Sequence, residues 1–431
     1  MLASNSETRE LVVPHLDVGA AAALIGSLAA DVDKLRRLGD AVREIARARF
    51  DMDAYVKTLD RLGRAAAQIR KEEDSDAAVI LAEGAFDPQL YLGERAPFVE
   101  LAAAVREYTM LARRFNYARA PMACACTCPR RPLAGFHPVT YTLQNPNYDA
   151  RTGGDPLAHY LRAGRPKGPW VHPVLRIEAP EDSARPVGMA ESARLRVVLH
   201  GHFHYTDHFG YFLQALAANA QPCELVLTTN SAEKAAEIRA TLRERGAEAD
   251  IRIMPNRGRD IGPFLTVLEE AIGRCDLLGH IHGKRSLHVD THVGDRWRTF
   301  LWQHLIGDEV PMIDILGRAF MENPRLGLVF AEEPFLIGWN ENLEFAQELA
   351  SRMGLHAPLP PSIECPVGTM FWSRPEALAP LLRLRITPDE YPPEPLPIDG
   401  TILHALERLL PLVVEQAGYH YATTYLHQFV R

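Results

Sequence analysis

Between residues 195 and 282 the chain alternates short apolar runs with longer amphipathic ones, and this alternation restricts the fold more than any other feature. Leu195–His200, Leu225–Thr228, Ile251–Met254 and Leu277–His282 read as strands. Phe209–Ala220, Ala232–Arg245 and Pro263–Arg274 read as helices, with Gly246 placed to end the second in a left-handed conformation. Strands and helices alternating at this pace predict an α/β protein with a mostly parallel sheet flanked by helices. No G-x-G-x-x-G follows the first strand and no G-x-x-x-x-G-K-[ST] occurs, which argues against dinucleotide and P-loop sites.

At 431 residues the chain is too long for one ordinary domain. Three regions are expected: a helical region over 1–75, a small aromatic and proline-rich module with its linker over 76–190, and the α/β domain over 191–431. A hydrophobic fraction of 47% with 24% charged residues describes a globular protein, and a net charge of −8 argues against nucleic acid as partner. Cys124, Cys126 and Cys128 form a C-x-C-x-C run whose spacing is wrong for the usual zinc pairs, so free thiols are expected. Met1–Glu7 lacks the features of a secretory signal, and no apolar run approaches the roughly 20 residues of a membrane span. A cytoplasmic protein is expected.

Residues 16–72 are Ala-rich and read as two helices, the first with Leu24, Leu28, Val32 and Leu35 on one face, the second with Tyr55, Leu59, Leu62 and Ala66. Lys71–Ser75 reads as a charged linker. A short repeat follows: Phe86-Asp87-Pro88 with Tyr91 recurs as Phe136-His137-Pro138 with Tyr141, a spacing suited to a turn pinned by ring packing. Asp155-Pro156-Leu157 lies beyond the second copy, and Pro166–Pro186 reads as an extended linker.

Four groups of residues carry chemistry. The first is Asn256-Arg257-Gly258-Arg259-Asp260-Ile261-Gly262-Pro263, a polar turn between a strand and a helix, where α/β sheets bind ligands. Its glycines permit close backbone approach, and its two arginines stand beside a helix N-terminus, a favourable place for phosphate. The second pairs His200, His202 and His204 after the first strand with His280 and His282 at the end of the fourth, followed by Lys284 and Arg285. First and fourth strands are often neighbours in doubly wound sheets, so these imidazoles converge. A metal site, a cationic cradle for an anion, and plain strand-end packing all remain open for them. The third is Glu364–Leu378, in which Trp372 and Arg374 read as one wall of an acceptor site, or Trp372 as core. The fourth is Asp399 before the helical run Ile402–Leu409, read both as an N-cap and as a general base.

In this order the motifs resemble those of the rhamnan synthesis protein F family, found in bacterial surface-polysaccharide loci. The residues that carry the likeness are Asn256–Leu265, His282–Ser286, Gly368–Arg374 and Asp399-Gly400-Thr401 with His404, Ala405, Glu407 and Arg408. They cover roughly 135–425. The segment from Val12 through Phe50 and Tyr55 also resembles the C-terminal tail of GT-B glycosyltransferases. The first resemblance implies a GT-A-like domain that transfers a sugar, with rhamnose the expected one, from a nucleotide donor to a lipid-linked or polysaccharide acceptor. On it, His200, His202, Asn256, Arg257, Gly258, Arg259, Asp260, His280, His282, Lys284 and Arg285 would contact the nucleotide sugar, Trp372 and Arg374 the acceptor, and Asp399 would be the catalytic base. GT-A enzymes carry Asp-x-Asp after the fourth strand for a divalent metal; here that place reads His280-Ile281-His282. No divalent metal is therefore expected as cofactor, zinc being the alternative. The setting implied is the inner face of the cytoplasmic membrane, reached through assembly partners. Two other classes stay open: a non-catalytic sugar-binding or scaffolding subunit, and a His-rich metal-dependent hydrolase.

Overall fold

The Ala-rich N-terminal sequence forms three helices rather than two: α1 (Val18–Ala30), α2 (Val32–Arg49) and α3 (Met52–Ala82). The additional break falls at Asp31, whose carboxylate accepts a hydrogen bond from Lys34 N at 2.9 Å and so opens α2. The break re-phases the apolar face, leaving Val32 and Leu35 exposed while Leu38 is buried. Lys71–Ser75 is not a linker but runs inside α3. Lys and Glu are good helix formers, and Gln68 bonds Glu72 at the i,i+4 spacing, 2.9 Å away. This computed structural model describes residues 18–49, 52–114, 130–149, 152–177, 195–283 and 291–431. Val12–Asp17, Phe50, the three clustered cysteines, Lys284–Ser286 and residues 178–186 of the expected linker lie outside them. The chain separates into two units, 1–72 and 73–431. No helix among the described residues is long and apolar enough to cross a membrane.

In the second unit the repeated Phe-x-Pro-aromatic pattern starts short helices. Asp87 accepts from Leu90 N to begin α4 (Pro88–Leu92); α5 (Leu101–Arg114) follows. His137 Nδ1 accepts from Thr140 N to begin α6 (Pro138–Gln144), and Asp155 from Ala158 N to begin α7 (Pro156–Arg162). In each case proline takes the first helical position, where a missing N–H costs nothing. Phe86 meets Tyr91 with ring centroids 5.2 Å apart, and Phe136 meets Tyr141 at 5.6 Å, so ring packing does pin both turns. These rings, with Tyr108, Tyr160 and Trp170, form one apolar cluster.

The segment expected to be a linker supplies β1 (Val174–Arg176). The predicted alternation then follows closely: β2 (Val197–His202), α8 (Phe209–Ala217), β3 (Glu224–Thr229), α9 (Ala232–Arg245), β4 (Asp250–Ile253), α10 (Ile261–Ala271) and β5 (Leu277–His282). Gly246 ends α9 at φ 63°. Beyond come α11 (Thr291–Leu305), α12 (Met312–Glu322), β6 (Leu326–Ala331), α13 (Leu343–Met353), β7 (Phe371–Ser373), α14 (Ile402–Gln416) and β8 (His420–Tyr425). The sheet order is β1-β8-β6-β7-β5-β2-β3-β4, and only β7 runs against its neighbours. Every residue of β2, β5 and β6 is buried, because apolar clusters cover both faces. From β2 the chain winds outward through β3 and β4, then returns to lay β5 on the other side of β2. Strand order therefore reverses between β2 and β5, and the crevice outside their C-terminal ends is where such sheets bind ligands.

A buried ion network joins residues 130–177 to the sheet. Arg131, fully buried, forms a paired contact with Glu364 and lies 3.6 Å from Glu332, which follows β6. Glu332 also accepts from Gly135 N and bonds His172 Nε2, both at 2.8 Å. Burial opposes charge on Glu332, but His172 and Arg131 outweigh it and hold the carboxyl well below its usual range.

Where β5 crosses β7 the packing has no slack. A Cβ on Gly279 would come within 2.7 Å of Leu199 Cδ1 and of the Trp372 ring. Overpacking of this kind typically costs about 1–3 kcal/mol. Gly279→Ala should therefore lower stability by ~1–3 kcal/mol in urea unfolding; an unchanged midpoint would show that the sheet does not close here as described.

Candidate functional site

Parallel pairing of β2 with β5 places His200 opposite His280 and His202 opposite His282. With a side-chain period of two, all four rings face the same layer, as the sequence suggests. They meet α10 there: the His280 ring lies 4.6 Å from Phe264 and 4.9 Å from His200, nearly parallel to the latter. His204 lies beyond the end of β2, against Tyr205, and does not join them.

The four imidazoles bond chiefly among themselves and to neighbouring polar groups. His200 Nδ1 and His280 Nδ1 share a hydrogen bond of 3.0 Å. Thr228 Oγ1, on β3, lies 2.9 Å from His200 Nε2 and 3.0 Å from His202 Nδ1. His280 Nε2 lies 3.3 Å from Asp260 Oδ2, and His282 Nε2 donates to Gly368 O at 2.6 Å. Among the described residues no group of three or more His, Cys, Asp or Glu side chains is arranged to hold a metal ion.

Burial determines the charge of two of these rings. His200 and His280 are fully buried, while His202 and His282 are each 8% exposed. Burial, reinforced by the neighbouring imidazoles, pushes His200 well below the ordinary histidine value. Burial likewise pushes His202 down to about 3, against the pull of Asp260. Burial opposes ionisation of Asp260, but His282 and the hydrogen bond from His280 hold its carboxyl below the usual range. His200 and His202 are therefore neutral near pH 7. The cationic cradle expected of the histidines is not formed by those two, and neither His200 nor His280 is exposed to touch a nucleotide.

The turn before α10 brings positive charge to this strand end. Arg257 and Arg259 are exposed, and Asn256 lies beside them at the surface. Gly258 and Arg259 have φ of 73° and 48°, so the backbone doubles back between the two arginines. A Cβ on Gly258 would meet the Tyr391 ring at 2.9 Å. Arg259 pairs with Glu394 (Nε–Oε1 3.1 Å), and Arg257 reaches Tyr391 O at 3.4 Å. Asp260 occupies the N-cap position of α10 but makes no side-chain cap bond, its carboxylate being turned to His280. Lys284 and Arg285 lie outside the described residues.

Three expectations are corrected. Trp372 is completely buried and donates from Nε1 to Leu305 O at 2.8 Å, so it offers no face to a sugar and belongs to the core. Arg374 donates to Leu326 O and Phe320 O and lies over the Phe320 ring, which makes it a strap under the sheet rather than an acceptor contact. Asp399 does not cap α14. Thr401 does, accepting from His404 N, while Asp399 Oδ1 accepts from Asn342 Nδ2 at 2.6 Å and lies 3.4 Å from Arg408 Nη2.

Sequence reasoning missed Thr228, although a hydroxyl in the apolar run Leu225–Leu227, in register with His202, was a visible signal. It gave no role to Glu407, whose Oε2 accepts from Gly368 N at 2.9 Å and Thr369 Oγ1 at 3.0 Å and so ties α14 to the loop holding His282. Glu394 and Tyr391 had no local signal, because their contacts with the arginine turn span more than 130 residues.

A family model described as rhamnan synthesis protein F matches residues 159–419. An uncharacterized protein, WxcX, of Xanthomonas campestris pv. campestris (strain B100) is 34% identical over 234 residues, which are 53% of this chain and 32% of that protein. The chain thus spans about a third of the length of the curated relatives it matches. Among solved structures, a cytidylyltransferase from Leptospira borgpetersenii serovar Hardjo-bovis is 12% identical, covering 54% of this chain and 76% of its own, with a TM-score of 0.28. Glucosyl-3-phosphoglycerate synthase from Mycobacterium tuberculosis is 11% identical, covering 53% and 68%, with a TM-score of 0.29.

Because the fold keeps His202 neutral while an unfolded chain protonates it below about pH 6.5, stability is complete above that pH and falls as pH drops towards about 3. His202 alone accounts for a slope of about 1.4 kcal/mol per pH unit. Unfolding free energies of His202→Gln and the parent protein at pH 7 and pH 5 should diverge by ~2 kcal/mol, the variant being the less acid-sensitive. Parallel pH profiles would mean that His202 is not held neutral by burial.

Proposed function

Because this chain belongs to the rhamnan synthesis protein F family, we propose that it is a glycosyltransferase of bacterial surface-polysaccharide assembly, using a nucleotide-sugar donor. The observation that carries this reading is the exposed Arg257-Gly258-Arg259 turn, set at the N-terminus of α10 beside the point where strand order reverses. Two guanidinium forks and a helix N-terminus suit a diphosphate, and fixed cations there would stabilise the charge of a departing nucleotide. Asn256 at the surface and His202 and His282 at the strand ends complete the donor side, with Lys284 and Arg285 following β5. Rhamnose is the proposed sugar and a lipid-linked glycan the proposed acceptor, met at the inner membrane face through assembly partners. With histidines where related folds carry carboxylates, binding is expected to need no divalent ion.

Asp399 is the proposed base. Both of its contacts fall on Oδ1 and its side chain is 23% exposed, which leaves Oδ2 for an acceptor hydroxyl.

Calorimetry with UDP, dTDP and GDP in EDTA should detect binding of at least one, weakened ~10-fold or more by Arg257→Ala with Arg259→Ala, since bonds to charged groups are worth about 1.5–3 kcal/mol. Absence of binding by all three to millimolar concentration, or binding that appears only with Mn²⁺, would overturn the donor-site reading. With the sugar nucleotide that binds, Asp399→Asn should cut transfer by about 10²–10⁴-fold while leaving donor affinity and melting temperature nearly unchanged, because Thr401 caps the helix. Full activity in that variant would remove Asp399 from the chemistry. Transfer absent from the parent protein, with sugar binding retained, would favour a scaffolding subunit.

A further inference from the structure

The strand between β2 and β4 carries a cation of its own at its C-terminal end. After β3 the chain turns through Asn230 and Ser231 into α9. Ser231 caps that helix, accepting from Lys234 N at 3.3 Å, so Lys234 stands in the first turn. A cation there opposes the helix dipole. The fold nevertheless holds the half-buried side chain in place: Nζ donates to Asn230 Oδ1 at 2.8 Å and lies 5.9 Å from the centre of the Tyr205 ring. Both partners are neutral. Among the described residues no carboxylate pairs with Lys234, whereas Arg252 of β4 is shared by Asp250 and Glu270 at 2.7 and 2.8 Å. An ammonium set against a helix dipole, with only an amide and a ring for company, breaks a local rule without a local gain, and such residues are expected at functional sites.

His204 ties this lysine to the arginine turn. Its ring packs edge-on against Tyr205, with centroids 4.7 Å apart. Burial holds His204 below the ordinary histidine value; Lys234 and Arg259 push it the same way, and Glu394 opposes them. Lys234 from α9 and Arg259 from the turn before α10 thus both act on one small ring. Glu394 acts on it too, from its place in the fork of Arg259.

We propose that Lys234 and Arg259, with His204 as their common neighbour, form a two-cation clamp for the linked phosphates of a diphosphate group, and that Glu394 stands where one of those phosphates binds. The two cations follow neighbouring strands, which lie about 4.8 Å apart, a step that two linked phosphates can bridge. Glu394 offers Arg259 the same pair of oxygens that a phosphate would, at 3.1 Å from Nε and 3.5 Å from Nη2. No carboxylate plays that part for Lys234, so the lysine side of the clamp is open to an anion. The clamp deepens the donor-site reading, on which its assignment to a sugar nucleotide rests; binding of a diphosphate group as such does not depend on it.

Calorimetry with UDP and with inorganic pyrophosphate, both in EDTA, tests the clamp. Both should bind the parent protein, and Lys234→Met should weaken each ~10-fold or more, as loss of a hydrogen bond from a charged group requires. Lys234→Arg should restore most of that affinity. The melting temperature of Lys234→Met should not fall, because the substitution removes a cation from the wrong end of a helix. Glu394→Gln should bind pyrophosphate more tightly than the parent, and weaker binding would remove Glu394 from the site. UDP binding that is weakened by Arg257→Ala with Arg259→Ala but unchanged in Lys234→Met would overturn the clamp and leave the donor-site reading standing. Pyrophosphate held through Lys234, with UDP, dTDP and GDP all failing to bind, would leave the clamp and remove the donor. A Lys234→Met protein that loses its melting transition along with its affinity would show the lysine to be structural and overturn the clamp. If neither pyrophosphate nor any nucleotide binds, both readings fall.

Discussion

Parallel pairing of β2 with β5 sets residue 200 opposite 280 and residue 202 opposite 282, and a slip of one residue in either strand would turn its imidazoles into the opposite core. Four polar rings inside a sheet covered on both faces are tolerated only when their nitrogens have partners. Asp260, Thr228 and Gly368 provide them from α10, β3 and the loop before β7. The position of the arginine turn follows from the same constraint. Asp260 is pulled to His280, and the two residues before it, Gly258 and Arg259, take left-handed conformations that lead the chain there.

A division of labour results between two neutral imidazoles inside and a charged rim. His200 and His202 lie too deep to carry charge at neutral pH, whereas Arg257 and Arg259 stand in solvent a few residues away along the chain. An anion drawn to the rim would meet guanidinium groups first and imidazoles behind them. Glu394 already occupies the fork of Arg259, so an arriving anion exchanges one carboxylate for another oxyanion rather than meeting a bare cation.

The alternation over 195–282, the glycine that ends α9 and the convergence of the histidines were legible because each rests on local periodicity or on a topology that α/β chains commonly share. Charge state was not legible: it depends on burial depth, and nothing local distinguishes a histidine at the mouth of a sheet from one beneath it. Asp399 and Thr401 illustrate a second limit. Both residue types cap helices, and only the backbone path through Gly400, at φ 75°, makes Thr401 the cap and turns Asp399 towards Asn342. Trp372 and Arg374 illustrate a third. On a three-residue strand between two long neighbours, an aromatic is core and an arginine reaches past the strand to bare carbonyls, but the sequence around them has the texture of a surface wall.

The Arg131 network has a bearing on where this protein can be cut. The family likeness begins at residue 159, yet Arg131 lies outside it and Glu332 and Glu364 lie within. A chain trimmed to the likeness would keep two buried carboxylates and lose the guanidinium between them, leaving His172 alone to face both. Removing one partner of such a buried pair costs about 3–5 kcal/mol, a large part of what holds an ordinary domain folded. The segment that the family model matches is thus shorter than the buried network it takes part in, and the aromatic module belongs to the body of the protein as fully as any strand of its sheet.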